Sequence, residues 1–116
     1  MKNYFTKYGN KKTIVNGITF DSKLEAKRYN ELKLMERSGI IKDLQLQPSF
    51  ELIPTFKKNG KTFRSCSYKA DFTYYDNERK KQIVEDTKGF ETKDYKIKKK
   101  LFEYKFPELQ IDEIRK

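Results

Sequence analysis

Two acids and a lysine stand on two neighbouring predicted strands. Asp71 lies in the first strand, at residues 68–72, and Asp86 and Lys88 lie in the second, at residues 83–89. Side chains of a strand alternate with period two, so Asp86 and Lys88 are expected to project to the same face. Two carboxylates can hold a hard divalent cation such as Mg²⁺. These residue types suit metal-assisted phosphodiester hydrolysis, in which the cation polarises the phosphate and the lysine orients the nucleophile or offsets developing charge.

Each of these residues also has a purely structural interpretation. Asp71 could be an acid on the solvated face of a half-exposed strand, and Asp86 with Lys88 could form a surface ion pair, which contributes little to stability. Glu85 competes with Asp86 for the second ligand position. Only Asp86 is expected to share a face with Lys88, so the spacing favours Asp86 and leaves Glu85 as the fallback.

Glu25 and Gln47 are further polar candidates with two interpretations each. Ser22-x-x-Glu25 has the spacing of a capping box, in which Glu25 accepts from the Ser22 amide and only begins a helix. Alternatively, Glu25 holds a metal or a water at the site. Gln47 could reach the site or a nucleic acid, or it could be an ordinary polar residue of a strand.

The residue counts exclude several classes of chemistry. The 116 residues contain no histidine, which removes Ser-His-Asp triads, histidine general bases and His-Cys zinc sites. Cys66 is the single cysteine, so no intrachain disulfide can form. No apolar run is long enough to span a membrane, and the N-terminus lacks the apolar region of a signal peptide. We therefore expect a protein of the reducing cytoplasm with no membrane partner.

The charge balance indicates a polyanionic partner. The net charge is +10, and aromatic residues make up 15% of the chain, which favours a folded domain despite 38% charged residues. Lysine used only for solubility is the alternative explanation. Lys96, Lys99 and Lys100 stand on a predicted helix and are candidates for contacting DNA phosphates. Each of them could equally belong to a solvated helix face.

The elements that must position these residues begin with a hairpin and a helix. Residues 1–12 are basic with interleaved aromatics and could form a flexible arm. An Asn-Gly pair within residues 14–20 predicts a tight hairpin. The helix that follows extends to about residue 37 and stops at Ser38-Gly39. Its predicted apolar stripe consists of Leu24, Tyr29, Leu32 and Met35.

The second half of the chain predicts a three-stranded meander, a helix and a last strand. Residues 44–56 form the first strand, with an edge or a bulge at Pro48. Residues 63–75 and 82–88 form the next two strands. The lysine-rich helix ends near residue 106, and residues 109–114 return as a strand parallel to the third. The predicted buried stripe of this helix is Ile97, Leu101 and Tyr104. The whole is a single α/β domain with a mixed central sheet flanked by helices.

This order of elements, with these residues in these places, resembles the PD-(D/E)XK nuclease superfamily, whose restriction-endonuclease-like core is αβββαβ. Asp71 matches the acid of the second core strand, and Glu25 matches the acid of the first helix. Asp86 and Lys88 match the acid-x-lysine of the third strand. Ala70 stands where the superfamily pattern has a proline, which is a common departure.

Three segments are similar, more closely, to a small phage-associated family of unassigned function near Holliday-junction resolvases and transposon-end-cleaving endonucleases. They are residues 20–25, 46–48 and 84–89, and the likeness covers residues 13–114. It implies a DNA endonuclease of a phage or prophage in a bacterial host, dependent on Mg²⁺ or Mn²⁺. It also implies a role in DNA recombination, with branched or Holliday-junction DNA as the expected substrate.

The resemblance also implies a role for each site residue. Asp71 and Asp86 would bind the metal, Thr87 would add its backbone carbonyl, and Glu25 would complete the metal site. Lys88 would act on the nucleophile or the transition state. A homodimer is an attractive arrangement for cutting two strands, because a small chain offers little surface for reading bases. The alternatives are a non-catalytic DNA-binding accessory protein with the same fold and a protein-interaction module.

Overall fold

The computed structural model describes residues 12–88 and 91–115, with Lys88 and Arg115 described by their backbone alone. The basic arm expected at residues 1–12 lies outside this part of the chain except for Lys12. Within it, the elements are β1 (Thr13–Val15), β2 (Ile18–Phe20), α1 (Lys23–Arg37), β3 (Ile41–Leu46), β4 (Ser49–Ile53), β5 (Phe56–Lys58), β6 (Lys61–Phe63), β7 (Cys66–Lys69), β8 (Phe72–Asp76), β9 (Lys81–Lys88), α2 (Lys93–Lys105) and β10 (Gln110–Arg115).

The central sheet has four strands in the order β10-β9-β8-β3. β9 pairs in parallel with β10 and antiparallel with β8, and β8 pairs antiparallel with β3. The sheet is therefore mixed, and the parallel return of the last strand confirms the prediction. Together with α1 and α2 of the described residues, this sheet gives the predicted α/β class.

The two faces of this sheet carry separate hydrophobic cores. The core on the α1 side contains Tyr29 and Leu32 of α1 together with Phe72 and Ile83 of the sheet. The core on the α2 side is lined by Leu52, Tyr68, Ala70, Val84, Tyr95 and Phe102. Consecutive residues of β9 thus belong to different cores, and the same alternation decides which face each acid of that strand reaches.

Local signals place α1 as predicted. Ser22 is the N-cap, and its hydroxyl accepts from the Glu25 amide at 3.1 Å. Ser38 is the C-cap, and Gly39 follows with φ of 81°, the left-handed conformation that glycine adopts without strain. Tyr29 and Leu32 of the predicted stripe are buried. Met35 packs against the same core, and Leu24 is half-buried.

The predicted buried stripe of α2 is wrong. Ile97 is 60% exposed and Tyr104 is 88% exposed, while Tyr95 and Phe102 are buried and Leu101 is partly buried. Phe102 contacts the ring of Phe50 at a centroid distance of 5.1 Å and that of Tyr68 at 5.4 Å.

Lysines hide the true stripe of α2 in the sequence. Lys98 and Lys99 lie between Tyr95 and Phe102 on the inward side, and both are half-buried. A lysine can cover apolar surface with its aliphatic stem while its ammonium stays in water. Because lysine has a low hydropathy, Lys98 and Lys99 are predicted to face solvent. The buried stripe is therefore predicted on the wrong side of α2.

The two long strands predicted at residues 44–56 and 63–75 are each broken. The first divides into β3, β4 and β5, with its main break at Gln47 and Pro48, where Gln47 has φ of 51°. Proline has no N–H to offer a ladder. The second divides into β6, β7 and β8, and Asp71 lies in the gap between β7 and β8. Asp71 was expected within a strand and instead sits at a bend beside β9.

The Asn-Gly hairpin predicted within residues 14–20 is present, and a second Asn-Gly hairpin follows β5. Asn16 and Gly17 join β1 to β2, and Asn59 and Gly60 join β5 to β6, with positive φ at all four residues. Two consecutive residues with positive φ are typical of the type I′ turn, whose twist matches that of paired strands. The β5–β6 hairpin continues outward from the β4–β7 pair, away from the central sheet.

Candidate functional site

β9 carries two consecutive acids towards opposite faces of the central sheet. Ile83 belongs to the α1-side core and Val84 to the α2-side core, so alternation directs Glu85 towards α1 and Asp86 towards α2. Glu85 is fully buried and Asp86 is 3% exposed. A buried carboxylate is costly unless it is paired or hydrogen-bonded. The two acids meet this requirement with different partners.

Glu85 is held by an arginine and a tyrosine on the α1 side. Nε and Nη2 of Arg28 donate to its two oxygens at 2.8 and 2.6 Å, and the hydroxyl of Tyr74 donates to Oε2. The hydrogen bond to Glu85 is the main reason that the pKa of Arg28 is raised. Both oxygens of Glu85 are thus engaged by protein donors, an arrangement that anchors α1 to the sheet.

Asp86 is bound on the α2 side by the hydroxyl of Tyr68, which donates to Oδ2. Tyr68 is itself 3% exposed. Burial chiefly, and then the hydrogen bond to Asp86, raise the pKa of Tyr68. The tyrosine therefore stays protonated at neutral pH and remains a donor that fixes one oxygen of the carboxylate.

Asp71 lies at the end of β9, where the regular pairing of β8 with β9 stops. Its Oδ2 accepts from the Thr87 amide at 2.7 Å and from the Thr87 hydroxyl at 2.7 Å. Its own amide donates to the Glu85 carbonyl at 3.1 Å. Thr87, expected to offer a backbone carbonyl to a metal, thus contacts the first acid through its donor groups.

Glu25 approaches from the first turn of α1. It is 3% exposed, and its Oε1 accepts from the Asp21 amide at 3.3 Å. The reciprocal half of the capping box therefore uses Asp21, whereas the sequence spacing pointed to the Ser22 amide. Burial, followed by the negative charge of Asp71, raises the pKa of Glu25 to about 7. Glu25 and Asp71 consequently form a close pair of carboxylates.

Asp71 lies within electrostatic reach of Glu25 and of Tyr68. The charge of Asp71 raises the pKa of Glu25 on one side and contributes to the raised pKa of Tyr68, the partner of Asp86, on the other. Among residues 12–88 and 91–115, no three acidic groups meet closely enough to enclose a metal ion unaided. The site is a pair, Glu25 with Asp71, with Asp86 beside it on the neighbouring strand.

Two other predicted site residues flank this pair. Lys88 ends β9, where its backbone is in register with Arg115, and its side chain lies outside the described part of the structure. Gln47 is exposed, and its backbone N–H donates to the backbone carbonyl of Asp71 at 2.8 Å. Gln47 therefore borders the bend that presents Asp71.

The three lysines predicted to contact DNA differ in their surroundings. Lys99 is half-buried and pairs with Glu113 at 3.1 Å, and Glu113 also accepts from the Tyr95 hydroxyl at 2.6 Å. Lys96 and Lys100 are exposed on α2. The last two therefore offer their ammonium groups to solvent, whereas Lys99 has an internal partner.

Sequence reasoning missed the residues that hold the acids. Tyr68, Tyr74 and Arg28 received no role, although each binds Glu85 or Asp86. A signal was present, because a tyrosine on a buried strand position needs a partner for its hydroxyl. Glu85 and Asp86, on the neighbouring strand β9, are the acceptors that these hydroxyls bind.

The donor set suits a hard divalent cation. Carboxylate and carbonyl oxygens are the ligands that Mg²⁺ and Mn²⁺ prefer. Burial chiefly, and then repulsion by the charge of half-buried Asp71, raise the pKa of Glu25. A cation between Glu25 and Asp71 would offset that repulsion, so the residues present fit such an ion.

The comparisons with known proteins identify a family. Neither α1 nor α2, the helices of the described residues, has the length and apolarity needed to cross a bilayer. No curated protein is recognisably similar to this chain. A family model described as "Protein of unknown function (DUF1064)" matches residues 5–116. The match covers nearly all of the sequence, and the chain therefore belongs to the DUF1064 family.

Proposed function

We propose that this protein is a divalent-metal-dependent endonuclease that hydrolyses phosphodiester bonds of DNA. The observation that carries the proposal is the pair of buried Glu25 and half-buried Asp71, in which burial first, and then the charge of Asp71, raise the pKa of Glu25 to about 7. Unlike Glu85, this pair has no arginine bound to it among the described contacts. A fold gains nothing in stability from such a pair, so a cationic ligand is its natural complement.

The residues of the pair and its neighbours would share the work. Asp71 and Glu25 would hold Mg²⁺ or Mn²⁺ together with Asp86 and the backbone carbonyl of Thr87. A bound cation would polarise the scissile phosphate and assist formation of the attacking hydroxide. Lys88, by the alternation of β9, is expected on the Asp86 side, where an ammonium would offset charge on the phosphate.

DNA is the proposed substrate because of the charge of the chain and its distribution. The net charge is +10, and exposed Lys96 and Lys100 offer ammonium groups from α2. Phosphate contacts of this kind position a nucleic acid without reading its sequence. We therefore expect the protein to select DNA by its shape, such as that of a four-way junction. A homodimer would supply two cutting sites.

The test compares linear, nicked, flap and four-way-junction DNA in the presence of Mg²⁺, Mn²⁺ or EDTA. Cleavage is expected with either metal and not with EDTA. Asp71→Asn should remove cleavage and leave DNA binding in EDTA intact, since its carboxylate is assigned to the metal. A purified protein that binds these DNAs but cuts none of them would support the non-catalytic accessory role.

A further inference from the structure

We propose that the β5–β6 hairpin and its flanking residues (53–65, called the arm from this point on) enter the major groove of duplex DNA. The inference rests on the proposed function, because it names the surface that grips that substrate. Every residue from 53 to 65 is exposed, so the arm buries nothing in either core. A thirteen-residue segment with regular structure and no buried side chain contributes little to the stability of the fold, and its order calls for another explanation.

One face of the arm combines two aromatic rings with two lysines. Phe56 is in register with Phe63, and Lys58 is in register with Lys61. Residues two apart on a strand share a face, so all four side chains lie on the same side. The rings of Phe56 and Phe63 stack at 4.9 Å with 11° between their planes, and they are 44% and 42% exposed.

The charge of the arm is uniformly positive. Four cations lie within residues 53–65, and that segment contains no acid; the cations are Lys57, Lys58, Lys61 and Arg64. Like charges directly opposite each other on paired strands are destabilising, which applies to Lys58 and Lys61. Within the described residues, the recorded ion pairs involve other side chains. A polyanion would turn this repulsion into binding energy.

The arm is formed before any ligand arrives. Asn59 and Gly60 adopt the positive φ values of a type I′ turn, and the Thr55 hydroxyl accepts from the Ser65 amide at 3.1 Å at the base of the arm. A surface that is already ordered loses less conformational entropy on binding. The arm is therefore suited to act as a rigid probe.

Duplex DNA fits this shape better than duplex RNA does. The major groove of B-form DNA is about 12 Å wide and admits a two-stranded ribbon, whose strands lie about 4.8 Å apart. The major groove of A-form RNA is too deep and narrow for side chains to read. In the DNA groove, the lysines would meet phosphates, and the exposed rings would make apolar contacts such as those with thymine methyl groups.

The position of the arm relative to the site supports the same partner. The ribbon of β4 and β7 connects the arm to the bend that holds Gln47 and Asp71, where the Ala70 amide donates to the Pro48 carbonyl at 3.0 Å. A duplex engaged by the arm is thereby linked to the carboxylate pair through one continuous ribbon.

The test measures the affinity of full-length variants for a 20-base-pair DNA duplex in EDTA at several salt concentrations. We expect Lys58→Gln/Lys61→Gln to weaken binding by at least about 10-fold at ~0.1 M salt and to reduce the slope of log K against log salt by about 1.8. The matched control is Lys42→Gln/Lys80→Gln, which removes the same charge from exposed residues at the other end of the sheet. The control should retain nearly all of the parent's affinity.

Two further variants separate the parts of the proposal. Phe56→Ala/Phe63→Ala should weaken binding to duplex DNA and leave the salt slope unchanged, and the loss should be smaller for duplex RNA. Replacing residues 56–64 with Asn-Gly should leave the thermal melting temperature near that of the parent, because the removed side chains are all exposed. The shortened protein should show the full loss of affinity.

Several outcomes would overturn the arm. Equal losses in the arm variant and in the control would mean that only net charge matters. Unchanged DNA binding by the shortened protein would exclude the arm as a DNA contact. If the shortened protein is then also a smaller oligomer in solution than the parent, the arm is a self-association surface. If the parent binds DNA through the arm but cuts none of the substrates, the arm is supported and the nuclease activity is refuted. If the shortened protein cleaves DNA as well as the parent does, the nuclease activity is supported and the arm is refuted.

Discussion

Glu85 and Asp86 are adjacent in β9, yet each is bound by a different buried tyrosine on a different face of the sheet. Tyr74 donates to Glu85 on the α1 side, and Tyr68 donates to Asp86 on the α2 side. Arg28 also binds Glu85, which neutralises that carboxylate. Glu85 and Asp86 therefore have different environments in one strand. That of Glu85 is suited to anchoring α1, and that of Asp86 is suited to positioning a metal ligand.

The first prediction compares Tyr68→Phe with Tyr74→Phe. Loss of the Tyr68 hydroxyl should weaken Mn²⁺ binding about 10-fold, because a hydrogen bond that orients a metal ligand typically contributes on this scale. The measurement is the thermal shift of the protein across a Mn²⁺ titration in the absence of DNA. Tyr74→Phe should destabilise the protein and leave Mn²⁺ affinity unchanged, since Glu85 is not assigned to the metal. Equal effects of the two variants on Mn²⁺ affinity would contradict this assignment.

The second prediction concerns the stability of the Arg28 and Glu85 pair. Arg28→Met leaves a fully buried carboxylate without a cation and should lower the free energy of unfolding by about 3 kcal/mol. Arg28→Met/Glu85→Gln should be more stable than the single variant, because glutamine is neutral and can still accept from Tyr74. Urea unfolding at pH 7 measures both. A double variant no more stable than Arg28→Met would show that the buried charge is not the cause.

The local features of this fold were predictable because they depend on a few adjacent residues. The Ser22 cap, the Gly39 stop and both Asn-Gly turns follow from backbone preferences of single residues. The alternation that separates Glu85 from Asp86 follows from strand geometry. These signals were enough for the order of elements and for the α/β class.

The remaining features depend on contacts that are distant in sequence. The buried side of α2 is set by Phe50 and Tyr68, which pack on Phe102, and no periodicity within the helix shows this. The break at Gln47 was signalled by the proline that follows it, whereas the break at Asp71, which faces Gln47 across one strand pair, is not evident from its own segment. The partners of the acids were likewise missed because Arg28 lies 57 residues from Glu85.

The third prediction is that Glu25 makes stability depend on pH in the absence of metal. Its pKa is about 7 in the folded protein, against an ordinary value of 4.5, so the folded state holds the proton more tightly. The stabilisation is complete below pH 4.5 and is lost as the pH rises through 7, with a total of roughly 3 kcal/mol.

Glu25→Gln removes this titration and provides the measurement. In EDTA, the melting temperature of Glu25→Gln relative to the parent should rise between pH 4.5 and pH 8. Adding Mn²⁺ at pH 8 should then stabilise the parent more than the variant, because only the parent has two carboxylates to share the cation. Melting curves that differ by a constant amount across this pH range would rule out a raised pKa at Glu25.

The last prediction places the metal site on the Asp86 side of β9. Asp86→Asn and Lys88→Ala should each abolish most cleavage while the proteins stay folded and bind DNA, because ground-state affinity comes mainly from other basic residues. Glu85→Gln is the neighbouring control, and it should lose stability but keep cleaving at low temperature, since Glu85 is engaged by Arg28 and Tyr74. Cleavage of a four-way junction and circular dichroism measure activity and folding together. Cleavage lost in Glu85→Gln and kept in Asp86→Asn would move the site one residue along β9, to the α1 side.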